Sequence, residues 1–133
     1  MLRLEIVTPE KRVLDVEVDS VTVPTASGEA GILPSHAPLV SVLKPGLLTY
    51  TGKTESGKLV VSGGFVEVSS NKVSVLTDVA ERAGEIDAEA ARLELGEAQK
   101  VLSGTFSGTE EEFEAEKERL ERSQARLALS AGR

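Results

Sequence analysis

Two periodicities in one chain predict a mixed fold: an N-terminal antiparallel β-sandwich over residues 1–84, then a C-terminal antiparallel two-helix hairpin over residues 85–133. From Leu2 to Thr77 apolar residues recur at every second position, as in strands with one buried face. Beyond Asp87 they recur at three and four, as along one side of a helix. Closely spaced turn signals separate the first set of segments, and strands joined by short turns pair antiparallel. A sheet of this kind has one apolar face, and a second sheet is the simplest cover for it.

The strands follow in order. Leu2, Leu4 and Ile6 alternate with Arg3 and Glu5; Leu14, Val16 and Val18 alternate with Asp15 and Glu17; Val21 and Val23 flank Thr22. The runs Leu39 to Leu43, Leu47 to Thr51, Lys58 to Val61, Phe65 to Val68 and Lys72 to Leu76 are short and β-branched, with Pro45-Gly46, Gly63-Gly64 and Ser69-Ser70-Asn71 as punctuation. Gly28 to Leu39 reads as a long loop between two of these strands. Gly28 and Gly31 permit positive φ or close approach, while Pro34 and Pro38 hold φ near about −65°. A loop so constrained keeps one shape, and it is expected to display Ile32 and Leu33 beside a lone carboxylate, Glu29, and the single histidine, His36. That is a docking surface; the plainer alternative is a loop tucked onto its own domain.

In the tail, Asp87 is placed to accept hydrogen bonds from free N–H groups at the start of a helix, with Ala88, Ala91, Leu95, Ala98 and Leu102 as its apolar stripe. The stretch Ser103-Gly104-Thr105-Phe106-Ser107-Gly108 breaks that helix. Thr109 and Glu112 form a capping box for a second, which carries Glu110, Glu111 and Glu112 where the helix dipole favours negative charge and runs to about Leu129. Phe113, Leu120 and Leu127 recur along it, interrupted by Lys117 and Gln124. Fully burying one Leu is worth about 1.5–3 kcal/mol, so a few partly buried ones do not make an independent domain. The hairpin is expected to lean on the sandwich or on a partner. Weak docking suits a switching element, and a frayed tail would show the same pattern.

Composition narrows the function. An apolar content of 40% in 133 residues supports a core, and the absence of cysteine removes disulfides and thiolate metal sites. No apolar run reaches the roughly 20 residues of a spanning helix, and the N-terminus lacks a signal-peptide pattern, so a soluble, unsecreted chain is expected. The net charge of −7 is uneven: ten acidic and eight basic residues lie up to Gly84, twelve and seven beyond it. An acidic tail without a basic stripe argues against nucleic acid or an anionic lipid surface as the main partner.

The string GEAGILPSHAPLV, followed by Ser62-Gly63-Gly64-Phe65-Val66-Glu67-Val68 and then Ala80-Glu81-Arg82, resembles the epsilon subunit of bacterial F-type ATP synthases. The resemblance extends over the whole chain. It implies a non-catalytic subunit of the rotary stalk, in which the sandwich contacts the gamma subunit and the c-subunit ring and the hairpin regulates ATP hydrolysis. It also implies a peripheral place on the cytoplasmic face of the bacterial plasma membrane. Glu29 is the first choice for a polar contact to the c-ring, with Gly31, Ile32, Leu33 and His36 shaping that surface. From the residues alone, a different class stays open: a free-standing small-molecule binding module with the hairpin as a lid. An aromatic content of 3% disfavours it, since ligand pockets are rich in such rings.

No catalytic residues, metal or cofactor are expected. His36 lies in a proline-bounded loop with no nucleophile-elbow pattern, and the Glu110 to Glu121 run lacks the glycine and alternation of a calcium loop. Some epsilon subunits bind ATP through a pattern [IL]-D-x-x-R-A at the start of the first helix; here the stretch is Ile86-Asp87-Ala88-Glu89-Ala90-Ala91. Alanine stands at the arginine position, and Arg92 is rotated about 200° away around the helix, so tight nucleotide binding is not expected at Glu81, Asp87 and Arg92. Arg119, Arg122 and Arg126 make a basic strip on the second helix. It either pairs along its own helix, as Glu118 with Arg122 could, or, as the resemblance implies, meets acidic segments of the alpha and beta subunits when the hairpin extends.

Overall fold

The computed structural model describes residues 1–104 and 107–132. Two five-stranded sheets face one another. The first has the order β2-β1-β9-β8-β5 and the second β10-β7-β6-β3-β4. The strands are β1 (Leu2–Val7), β2 (Arg12–Val18), β3 (Ser20–Thr25), β4 (Gly28–Ile32), β5 (Leu39–Val42), β6 (Gly46–Thr51), β7 (Ser56–Ser62), β8 (Phe65–Ser69), β9 (Lys72–Leu76) and β10 (Val79–Glu81). A 3-10 turn at Ala83–Glu85 leads to helices α1 (Ala88–Ser103) and α2 (Glu110–Gly132). The expected sandwich and hairpin are both present.

Alternation builds the core as expected: Leu2, Leu4 and Ile6 of β1 are buried against Val21 and Val23 of β3 and Leu48 of β6. Glycine is required at Gly64, where φ is +89° and an added Cβ would fall inside contact distance of the Leu76 carbonyl oxygen. That close approach lets the β7–β8 turn pass beneath the end of β9.

Three features differ from the expectation. Residues 28–32 are not loop but strand β4, paired with β3 from Val21↔Ile32 to Thr25↔Gly28. Gly28, at φ +117°, turns the chain straight back, and the Thr25 hydroxyl closes the turn by donating to the Gly28 carbonyl at 2.5 Å. A tenth strand, Val79–Glu81, extends the second sheet by pairing with β7. The pairing is antiparallel except between β1 and β9, which run parallel from Arg3↔Lys72 to Val7↔Leu76.

Both helix starts form as read from the sequence. The Asp87 carboxylate accepts from the Ala90 N–H at 3.1 Å, and Thr109 and Glu112 exchange reciprocal hydrogen bonds of 3.1 Å. The break between the helices includes Thr105 and Phe106, which lie outside the described residues. The α1 stripe buries Ala91 and Ala98 as expected. On α2 the fully buried positions are Ser123, Ala125 and Leu129, whereas Phe113, Leu120 and Leu127 are only partly covered. The reason is that α2 packs on two bodies at once, α1 on one side and strands β6 and β7 on another, so no single stripe describes it.

A chain ending at Asp87 keeps every strand and loses the α2 cover over Val60 and Leu47 together with the Arg126–Glu81 and Lys44–Glu121 pairs. We expect its far-ultraviolet circular dichroism to retain the sheet signal and its stability to drop by about 1.5–3 kcal/mol, the worth of one buried aliphatic side chain. Loss of the sheet signal would make the hairpin part of the core.

Candidate functional site

The segment Leu33 to Pro38 leaves the edge strand β4 and is the loop proper. The His36 N–H donates to the Leu33 carbonyl at 3.1 Å, closing a turn in which Ser35 takes φ +68°. The Ser35 N–H donates to the Asn71 side-chain oxygen at 2.6 Å, tying the loop to the β8–β9 turn of the other sheet. His36 Nδ1 lies 2.6 Å from the Ala37 carbonyl, an acceptor only, so that nitrogen carries the proton. Glu29, Gly31 and Leu33 are exposed, Leu33 at 61%, and His36 is half-buried.

Ile32 corrects the expectation of display. It is fully buried, because its pairing with Val21 puts both side chains on the inner face of the sheet. Of the residues expected to shape this surface, Glu29, Leu33 and His36 keep side chains that can reach a partner.

An apolar row went unread in the sequence. Across the outer face of the first sheet, Val42 pairs with Phe65 and Phe65 with Leu76, and all three are exposed, with Val40 beside them at 68%. Each residue occupies an outward position in a regular alternation, so nothing local marked it; only the cross-strand register gathers them.

The arginine strip is brought to the sheet boundary. Leu47, Val60 and Glu81 form a row across β6, β7 and β10, and α2 lies over it with Ala125 and Leu129 against Val60. Arg126 grips Glu81 with two hydrogen bonds of 2.7 and 3.1 Å and reaches Glu94 of α1 at 3.2 Å. Arg119 binds Glu94 at 3.4 Å, Glu116 at 3.5 Å and also Glu97. Hydrogen bonding to Glu97 raises the Arg119 pKa above its ordinary value despite opposing burial, so this guanidinium stays charged at every working pH. Arg122 is half-buried and has no ion pair among the described residues; the Glu118–Arg122 pair is not among the contacts formed. Lys44, at the β5–β6 turn, pins α2 from the other end through Glu121 at 2.9 Å.

Each nucleotide candidate has a partner within the fold. Asp87 caps α1, Arg92 pairs with Glu89 on the exposed side of α1, and Glu81 is held by Arg126. The interior that a small-molecule module would need is filled by aliphatic side chains. Hollows of about 670 and 550 Å³ lie outside it, one along Thr109, Glu111 and Glu118, the other between β6–β7 and Leu129.

A sandwich closed on one outer face by its own hairpin, with an exposed loop at its edge, has close counterparts. Residues 1–83 match the family described as ATP synthase, Delta/Epsilon chain, beta-sandwich domain. The ATP synthase epsilon chain of Anaeromyxobacter sp. (strain K) is 45% identical over 132 residues, covering 99% of this chain and 98% of its own length. That of Myxococcus xanthus is 43% identical over 129 residues, covering 97% and 94%. A chain in the cryo-EM structure of Euglena gracilis mitochondrial ATP synthase, solved with OSCP, F1 and the c-ring, superposes with a TM-score of 0.78 at 27% identity, covering 99% of this chain and 81% of that one. The chain is thus of the delta/epsilon class, a sandwich carrying helices. Within that class, it belongs to the ATP synthase epsilon chain family.

The Ser35–Asn71 bond makes a local forecast. Asn71→Gly removes the acceptor while tolerating the φ of +60° at this position, and should speed hydrogen exchange at the Ser35 amide while lowering global stability by only about 0.5–1.5 kcal/mol. Unchanged exchange at Ser35 would mean that the loop holds its shape without this tie.

Proposed function

We propose that this chain is a non-catalytic central-stalk subunit of an F-type ATP synthase, peripheral on the cytoplasmic face of the plasma membrane. In this reading the sandwich couples rotation of the c-ring to the catalytic head, and the hairpin restrains ATP hydrolysis. The observation that carries it is full-length similarity to epsilon chains together with a loop that presents Glu29, Leu33 and His36 at the edge of the sandwich. Glu29 makes the polar contact to the c-ring, beside Gly31 and Leu33, and Ile32 supports them from the core. The gamma subunit takes the exposed apolar row of Val42, Phe65 and Leu76, on the sheet that the hairpin leaves uncovered.

The hairpin acts on the alpha and beta subunits when it extends, using Arg119, Arg122 and Arg126 against acidic segments. These arginines cannot serve the head while Glu81, Glu94 and Glu97 hold two of them, so the folded hairpin is the non-inhibiting state. ATP binds the isolated chain no tighter than millimolar, about 4 kcal/mol, since Asp87 and Glu81 are already engaged and alanine stands at position 90.

Two measurements on the reconstituted complex test this reading. Glu29→Lys should lower the proton-pumping ratio without unfolding the chain, because exposed substitutions usually cost under about 0.5 kcal/mol; an unchanged ratio removes Glu29 from the interface. Replacing Arg119, Arg122 and Arg126 together by alanine should relieve inhibition of hydrolysis and leave synthesis largely intact. Equal hydrolysis rates would return the strip to an intramolecular role.

A further inference from the structure

The hairpin is held by little apolar surface. Its contact with the sandwich is Ala125 and Leu129 against Val60, flanked by Leu47 and Ile86, and the seam between its helices buries Ala91, Ala98 and Ser123. Of these, only Val60 and Leu129 are both large and fully buried, so the charged contacts weigh heavily in whether the arrangement stays closed. Those contacts divide by location. Lys44–Glu121 joins sandwich to α2, and Arg119 with Glu94 and Glu97 joins α1 to α2. Among the described ion pairs, Arg126 alone joins both, holding Glu81 of β10 and Glu94 of α1 with one guanidinium.

We propose that Arg126 is a latch coupling two movements, release of the hairpin from the sandwich and parting of α1 from α2. The planar guanidinium answers both carboxylates through separate N–H groups, so either movement strips it of one partner and of the fixed orientation in which it holds the other. Arg126 and its partners are all less than about a third exposed, at 19%, 26% and 31%, which limits screening and makes the pairs stronger than surface ones. Without the cation, Glu94 keeps only Arg119 and Glu81 loses the guanidinium that holds it, so like charge faces across the gap between α1 and the sheet edge. The inference concerns the folded hairpin of the chain alone and does not depend on any partner in the synthase.

The chain has no cysteine, so spin labels can be placed in pairs. Labels at Lys53→Cys and Glu118→Cys report undocking of α2; labels at Gln99→Cys and Glu118→Cys report parting of the helices. Raising salt from about 0.01 to about 1 M shortens the screening length from about 30 to about 3 Å. Over that range both distance distributions should broaden together, with one midpoint. At low salt, Arg126→Gln should raise the open population severalfold in both pairs. Arg119→Gln should open chiefly the helix pair and Lys44→Gln chiefly the docking pair. Circular dichroism of each variant checks that the sheets persist, and if Arg126→Gln loses them, the salt titration of the labelled Arg126 chain decides. The proposal is overturned if Arg126→Gln broadens only one distance or neither, or if salt opens the two distances at separate midpoints.

Discussion

The second half of strand β7, Leu59 to Ser62, is buried on both faces, and the arrangement of the whole molecule depends on that constraint. Leu59 and Val61 point into the sandwich, while Val60 points out of it and is nevertheless inaccessible. An outward valine in the middle of a sheet needs a cover, and α2 supplies it with Ala125 and Leu129. Small residues at the contact let the helix lie close to the strands. Once α2 is fixed over Val60, Arg126 reaches the end of β10, Lys44 meets Glu121, and α1 falls into place along the other side of α2.

Charge then does in the hairpin what apolar area does in the sandwich. The tail carries twelve acidic against seven basic residues, and its half-buried guanidiniums gather carboxylates that would otherwise repel one another. The outer face of the first sheet offers a contrast. There Arg3, Arg12 and Lys72 pair with Glu5 and Asp15. The Arg3 hydrogen bond holds the Asp15 carboxyl below its ordinary pKa, yet the cations of this cluster are half or more exposed, at 51–61%, so screening leaves it little part in holding the sheet together.

Most of this fold was legible in the sequence, because strict alternation and helix caps are local signals. Asp87 and the Thr109–Glu112 pair acted as their residue types dictate. The loop from Gly28 to Leu39 was half misread, since Gly31 and a single isoleucine give no alternation over Gly28–Ile32 strong enough to announce a strand. As a loop residue Ile32 would face outward, whereas its cross-strand partner Val21 turns it inward in the fold. The run Leu59-Val60-Val61 was a signal available and not used: three consecutive apolar residues imply a strand buried on both sides, hence a covering helix. No reading of one segment could have supplied the Ser35–Asn71 bond or the gathering of Glu81 and Glu94 around Arg126, because each joins positions that only the tertiary fold brings together.

The parallel pairing of β1 with β9 bears on the order in which the chain is made. β1 leaves the ribosome before the other nine strands and can close a hairpin with β2 almost at once. Its other edge is reserved for Lys72–Leu76, so Leu2, Leu4 and Ile6 belong to a strand whose second neighbour does not yet exist until most of the sandwich has been synthesised. During that interval the nascent chain carries an open, apolar strand edge, the feature that invites mispairing with other chains. Arg3 and Glu5 alternate with the apolar residues of that strand, and charges so placed disfavour pairing with a stray apolar strand before β9 arrives.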